Sequence, residues 1–211
     1  MILRPLIFVH VPKTGGASIT EYFRAEREHF PASYYKANFE EKFKEYFVFA
    51  CVRNPWARMV SAYFYQKAKG STQESKEWFN YRNQDFDSYI RNEHDKHLKN
   101  ESNIKETMYW ISEKGKVIVD YICNLHTINK DFNIIKKIVN RKDDLIHINK
   151  SNHGDYKNYY NDKKTLNLVS EIFKNDIEYF KFKFEDKDYS NFSRIINHDK
   201  YEKYCKKLSK K

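Results

Sequence analysis

The sequence predicts an α/β fold, a central parallel sheet flanked by helices, and two observations carry the prediction. Two short apolar runs, residues 6–11 and 46–52, each end in a sharp turn, and each turn is followed by apolar residues at helical spacing. Strands that alternate with helices in this way belong to a parallel sheet covered on both faces.

The elements follow in order. Residues 6–11 form a buried strand bounded by Pro12 and then by Gly15-Gly16, after which Ala17, Ile19, Tyr22 and Phe23 recur on one helical face. That helix is expected to run on to His29 and to stop at Pro31. A charged helix over 39–46 leads into the second strand, 46–52. Arg53-Asn54-Pro55 then starts a helix, with Asn as cap and Pro in the first turn. Residues 67–105 are polar with few apolar anchors, Trp78-Phe79 and 86–90 among them, and are expected as mobile helices and loops near the surface. Residues 116–123, introduced by Gly115, read as a strand, 131–139 as a helix with Phe132, Ile135 and Val139 in register, and 145–148 as a short strand before the polar turn 149–155. Leu166, Val169, Ile172 and Phe173 mark a further helix.

A chain of 211 residues is long enough for one well-buried core and short for two, so a single domain spanning 1–211 is expected. An apolar fraction of 40% excludes a disordered chain, and 17 Tyr with 16 Phe supply much of the core. The net charge of +10 suits an anionic partner. Six lysines and one glutamate lie in the last dozen residues, where Tyr201, Tyr204, Cys205 and Leu208 share one helical face. A solvated tail and a docked C-terminal helix both fit that stretch. Cys51, Cys123 and Cys205 are odd in number and widely spaced, showing neither a disulfide framework nor a zinc pattern, so a reducing compartment is expected. With no apolar run of membrane-spanning length and no signal peptide, the expected location is cytoplasmic.

The turn at 12–16 carries chemistry. A strand, a tight glycine turn and a helix aim several backbone N–H groups and the positive end of a helix dipole at one point, and Lys13 adds a full charge. Its natural occupant is a phosphate or sulfate. The usual nucleotide loop places its glycines before the lysine, whereas Lys13-Thr14-Gly15-Gly16 reverses the order and disfavours ATP or GTP. In an open parallel sheet, ligands sit beyond the carboxyl ends of the strands, so Arg53 is expected to line the same crevice. Ser61 follows Asn54 by about two helical turns and returns to nearly the same helix face. Arg53 and Ser61 could thus grip one anion and the first loop another, which describes a ligand with two phosphate-type groups.

PKTGGAS followed by VRNPWARMVSAYFY resembles the paired motifs of sulfotransferases that use 3′-phosphoadenosine 5′-phosphosulfate (PAPS), in particular the carbohydrate branch with heparan 2-O- and chondroitin-type enzymes and their bacterial relatives. GKVIVDYICNLHTINKDF, LIHINKSNHGDYKNYY and NDIEYFKFKFED are similar to blocks found in order in that family, and the resemblance covers about residues 6–186, leaving 187–211 as a basic C-terminal segment. It implies a P-loop-like three-layer fold. It also implies that Lys13, Thr14, Gly15, Gly16, Ala17 and Ser18 bind the 5′-phosphosulfate and that Arg53 and Ser61 bind the 3′-phosphate. In-line transfer needs positive charge on the bridging oxygen, a task for Lys13, and a base for the acceptor hydroxyl. No metal is required if Lys13 and the helix end supply the charge that Mg²⁺ supplies in kinases.

In the family branch the base is a histidine some two dozen residues before the arginine, a position matched by His29 in Glu28-His29-Phe30-Pro31, where a helix end would favour the imidazolium. Glu21, Glu26 and Glu28 are the fallback bases. His10 reads as a core or supporting histidine. His94 and His97 have a spacing that could bind a metal but lack a third ligand nearby, and His147 and His153 flank Asn149-Lys150-Ser151, which could face the acceptor or form a polar turn. Two features depart from the family pattern. Asn124-Leu125-His126 stands where a glutamate commonly closes the block, and Met108 lies near Trp110, which a glutamine often precedes.

Three readings stand on the sequence. The first is a sulfotransferase acting on a hydroxyl of a glycan or other acceptor, one that can itself be anionic, and releasing adenosine 3′,5′-bisphosphate. The second is a nucleotide or sugar kinase of similar fold. The third is a non-enzymatic binder of nucleic acid or anionic glycan that works through the basic tail. The first expects no nucleic-acid partner and leaves the oligomeric state open. Lys13→Ala would disable the enzyme, whereas removal of residues 200–211 would disable the binder.

Overall fold

The structure, a computed structural model, describes residues 1–70, 83–146, 148, 153–186, 192 and 194–208. Along the chain these form β1 (Ile2–Leu3), β2 (Leu6–Val9), α1 (Gly16–Tyr22), α2 (Ala32–Asn38), α3 (Glu40–Glu45), β3 (Phe47–Val52), α4 (Pro55–Gly70), α5 (Phe86–Leu98) and α6 (Thr107–Ile111). There follow β4 (Ser112–Glu113), β5 (Lys116–Val117), β6 (Tyr121–Asn124), α7 (Ile128–Ile138), α8 (Lys163–Ile172), α9 (Lys174–Phe180), β7 (Arg194–Ile195) and α10 (His198–Leu208). The residues fall into two compact units, Met1–Arg53 with Thr107–Asn149 and Lys187–Lys211, and Asn54–Glu106 with Lys150–Asp186.

The first unit holds a five-stranded sheet in the order β1-β2-β3-β6-β7. Its centre is parallel, with Val9 beside Ala50 and Cys51 beside Cys123, while β1 and β7 pair antiparallel at the edges. The sheet is therefore mixed rather than wholly parallel. Every residue of β2, β3 and β6 is buried, as their unbroken apolar runs require of strands covered on both faces. On one face Phe8, Phe49, Cys51 and Cys123 pack with Ile19 and Tyr22 of α1 and with Phe132 and Ile135 of α7. Tyr201 and Tyr204 of α10 pack against the same cluster, so the first part of that helix is docked. Lys200 reaches inward to Asp120 at 2.8 Å and to the Phe43 carbonyl at 2.9 Å.

Several expectations change. The first helix stops at Tyr22 rather than His29, because Arg24 turns left-handed (φ 50°) and closes the helix with two crossed hydrogen bonds, Ala25 N–H to Thr20 O and Arg24 N–H to Glu21 O, both 2.9 Å. The strand expected over 116–123 breaks in two. Asp120 intervenes, trading backbone and side-chain bonds with Val48, so Lys116–Val117 joins a separate hairpin with β4 and only Tyr121–Asn124 enters the main sheet. Leu145, Ile146 and Ile148 are irregular rather than a strand, and His147 lies outside the described residues. The short helices α2 and α9 were not foreseen.

The second unit is helical. The Asn54 side chain caps α4, accepting from the N–H groups of Trp56 (3.1 Å) and Ala57 (3.3 Å), as the Asn-Pro start implied. Arg58, fully buried, lies 3.9 Å from Asp176 and over the Phe173 ring, and donates to the Lys105 carbonyl. Burial draws its guanidinium down to about 10 against the opposing pull of Asp176 and Glu106. The segment expected to be mobile contains α5, which buries Phe86, Tyr89 and Ile90 and packs on α8; Trp78-Phe79 lies outside the described residues. Among the described residues no helix is long and apolar enough to cross a membrane.

Candidate functional site

In the first unit the carboxyl ends of the three parallel strands carry three turns: His10 to Gly15 after β2, Arg53 after β3, and Leu125-His126 after β6. Lys13 and Gly15 both take left-handed conformations, φ 67° and 88°. A lysine in that region is uncommon and marks a turn held by its surroundings. One such hold is Arg53, whose guanidinium donates to the Lys13 carbonyl at 3.3 Å. The two cationic residues thus meet on one loop.

The glycines are required by contact as well as by conformation. A Cβ on Gly15 would lie 2.5 Å from a methyl of Leu125, and one on Gly16 would lie 1.9 Å from Nε2 of His10. The third turn and the His10 ring therefore rest directly on the glycine loop. Thr14 is fully buried and its hydroxyl donates to the Val11 carbonyl at 2.8 Å, so its main chain is what it presents to a ligand. Ala17 stands in the first turn of α1. The Ser18 hydroxyl oxygen accepts from the Ile148 N–H at 3.0 Å, which leaves its own proton available to a second acceptor.

His29 lies in the irregular segment between α1 and α2, three residues before α2, and not at the helix end expected for it. Its Nδ1 stands 3.2 Å from the His10 carbonyl. A carbonyl only accepts, so Nδ1 carries the proton and Nε2 of the neutral ring carries the lone pair. The two imidazoles lie 4.2 Å apart between centroids, tilted by 35°, and the Trp110 ring stands 6.3 Å from His29. His29 is exposed while His10 is 5% exposed. Burial first, then the charges of His29, Arg27, the N-terminus and Lys13, pull His10 down to about 3, so its ring is neutral at physiological pH. Desolvation and then the Arg53 charge draw His126 down to about 4. His10 Nδ1, Trp110 Nε1 and Asn124 Nδ2 are buried polar atoms with no hydrogen-bond partner among the described residues.

Lys13, Thr14, Gly15, Gly16, Ala17, Ser18, His29 and Arg53 thus belong to one unit, gathered around one loop, while Ser61 belongs to the other, where it is buried on α4. Of the fallback bases, Glu28 is ion-paired with the N-terminal amine, and Glu21 and Glu26 are exposed. His94 pairs with Glu171 at 2.8 Å, and among the described residues no group of three His, Cys, Asp or Glu could hold a metal ion. His153 stacks on Phe64, and 149–152 lie outside the described residues.

His126 and Leu125 gained no role from sequence reasoning, although a position directly after the third parallel strand was the available signal. Chemically the arrangement offers an anion two cationic residues and a loop with two adjacent glycines, and offers a nucleophile the His29 imidazole, whose Nε2 is uncommitted to His10. No curated protein and no solved structure matches the chain. Residues 4–183 match the family model described as "Sulfotransferase family".

Proposed function

Because this chain belongs to the sulfotransferase family, we propose that it moves a sulfuryl group from PAPS to a hydroxyl of a carbohydrate acceptor by in-line displacement, with adenosine 3′,5′-bisphosphate as the product. The observation that carries the reading is the meeting of Lys13, Arg53 and His29 with the glycine loop at the carboxyl ends of β2 and β3. PAPS supplies an activated sulfuryl group on a phosphate leaving group.

The residues fit such a donor. The left-handed turn with its two glycines is in this reading a P-loop-like cradle for the 5′-phosphosulfate, formed by the main chain of residues 14–18 with the Ser18 hydroxyl. Lys13 is assigned the bridging oxygen, where negative charge grows as the bond to sulfur breaks. Arg53, a planar fork of donors, is assigned the 3′-phosphate. Ser61 is assigned the same phosphate on its sequence motif alone. His29 takes the acceptor proton at Nε2, since the His10 carbonyl holds the proton at Nδ1. His10 remains neutral through the cycle and adds no charge beside Lys13.

The test is calorimetric titration of the full chain with adenosine 3′,5′-bisphosphate, with ATP plus Mg²⁺ as comparison. The bisphosphate is expected to bind and to lose affinity by roughly tenfold or more in Arg53→Ala, the scale of a lost charge-assisted pair. Preference for ATP, or no binding of either, overturns the reading.

A further inference from the structure

The assigned base has no regular element of its own. His29 is exposed and lies in the irregular segment between α1 and α2, and holding such a side chain in one orientation costs rotamer entropy that its contacts must offset. His10 makes contact with it twice, through its carbonyl, 3.2 Å from Nδ1, and through its ring, whose centroid lies 4.2 Å from that of the His29 imidazole. The same ring touches the glycine loop. A Cβ on Gly16 would lie 1.9 Å from its Nε2 and 2.0 Å from its Cδ2, so the Gly16 main chain is packed against it. Phe8, fully buried in β2, stacks on it at 5.5 Å with planes 20° apart. His10 is itself buried, and its Nδ1 has no hydrogen-bond partner among the described residues. A ring kept at such a place without a bond to that nitrogen serves there as a flat solid body.

From these contacts we infer that His10 is a positioning residue for the transfer: its ring is a rigid spacer between the glycine loop and His29, so that a ligand seated on the loop is registered at the base. The inference rests on the sulfotransferase reading and deepens it, since that reading gives the loop to the donor and Nε2 of His29 to the acceptor proton. Close-packed groups do not yield separately. A displacement of Gly16 on ligand binding moves the ring, and the ring moves the imidazole packed on it. The His10 carbonyl meanwhile keeps the proton at Nδ1. Catalytic groups need placing to within about 0.5 Å. For that purpose β2, paired on both sides within the sheet, is a firmer reference than the segment that carries His29. What the ring supplies is shape. A phenyl ring in its place should therefore act alike, whereas a side chain without a plane should not.

The test reads the His29 ring signals by nuclear magnetic resonance in the full chain carrying isotope-labelled histidine, the signals being identified by their absence in His29→Asn. Spectra are taken at about pH 8, where an ordinary imidazole is neutral, so that a change of charge does not enter. Adenosine 3′,5′-bisphosphate is the probe, and calorimetry gives its affinity for each variant. In the parent the His29 signals are expected to shift saturably, with the calorimetric midpoint. His10→Phe is expected to keep at least half of that shift. His10→Ala is expected to bind the bisphosphate within about threefold of the parent and yet to lose most of the shift. His10→Leu, which fills the site without a flat ring, gives the same result if His10→Ala fails to fold. A shift undiminished in His10→Ala or His10→Leu means that the base feels the bisphosphate directly, and overturns the inference. So does an unmoved His29 in a parent that binds the bisphosphate. A loss of affinity of roughly tenfold or more in His10→Phe makes a His10 nitrogen a ligand contact and overturns it too. A parent that binds no bisphosphate overturns the donor reading, and the inference with it, so calorimetry tells the two failures apart.

Discussion

His10 shows how much one residue settles. Its carbonyl orients His29, its ring fills the space over Gly16, and its neighbours keep it uncharged. A histidine whose folded pKa lies near 3 against an ordinary 6.5 contributes stability that is complete above pH 6.5 and is lost as pH falls toward 3, because the unfolded chain binds the proton first. At pH 5 the loss is about 2 kcal/mol from this residue, and the more open His126 adds in the same direction. Denaturant midpoints measured from pH 7.5 to 5 should therefore fall in the parent chain and fall less in His10→Asn. Gly16→Ala places a methyl on the His10 ring and is expected to destabilise the chain by about 1–3 kcal/mol, with His10→Ala in the same background recovering part of the loss. His29→Ala is expected to lower turnover by about 10²–10⁴-fold while leaving the affinity for adenosine 3′,5′-bisphosphate within twofold of the parent. Equal losses in both would make His29 a structural residue.

Among the elements, what the sequence made legible was local. The apolar runs announced β2 and β3, and Asn54-Pro55 announced α4, because an unbroken run or a cap is written in adjacent residues. The breaks came from partners far along the chain. Asp120 divides an apparent strand by accepting from Val48 (2.7 Å), Asn197 (3.1 Å) and Lys200 (2.8 Å), and no reading of residues 116–123 contains those three. The same distance hid the approach of Leu125 to Gly15 and of His126 to Arg53, which only the sheet order brings about. Arg53 itself was legible, standing where a parallel strand ends. Asp120→Ala leaves the Val48 N–H without its carboxylate acceptor and Lys200 without its counter-ion. A loss of about 2–3 kcal/mol in urea unfolding is expected, together with faster proteolysis near α10, while bisphosphate affinity stays unchanged because Asp120 precedes β6 and the loops lie after it.

For the molecule as a whole, the family match over 4–183 fixes the reaction class, and the donor chemistry then turns on where positive charge comes from. On the proposed reading Lys13 and Arg53 bring it on side chains of the protein, the Arg53 guanidinium donating to the Lys13 main-chain carbonyl. Turnover and bisphosphate affinity measured in EDTA are accordingly expected to match those measured with added Mg²⁺; a loss of either on chelation would transfer the charge-bearing role to an ion.

The route of the chain through residues 24–38 has an evolutionary consequence. Between the left-handed turn at Arg24 and the end of α2, one short stretch bears His29, Phe30 and Tyr34, whereas the glycine loop and Arg53 belong to other segments of the chain. On the proposed reading, mutations in this stretch outside His29, the assigned base, alter what approaches that base and leave the donor-binding residues untouched. Lineages can then drift to new acceptors one substitution at a time, without passing through a form that has lost its donor.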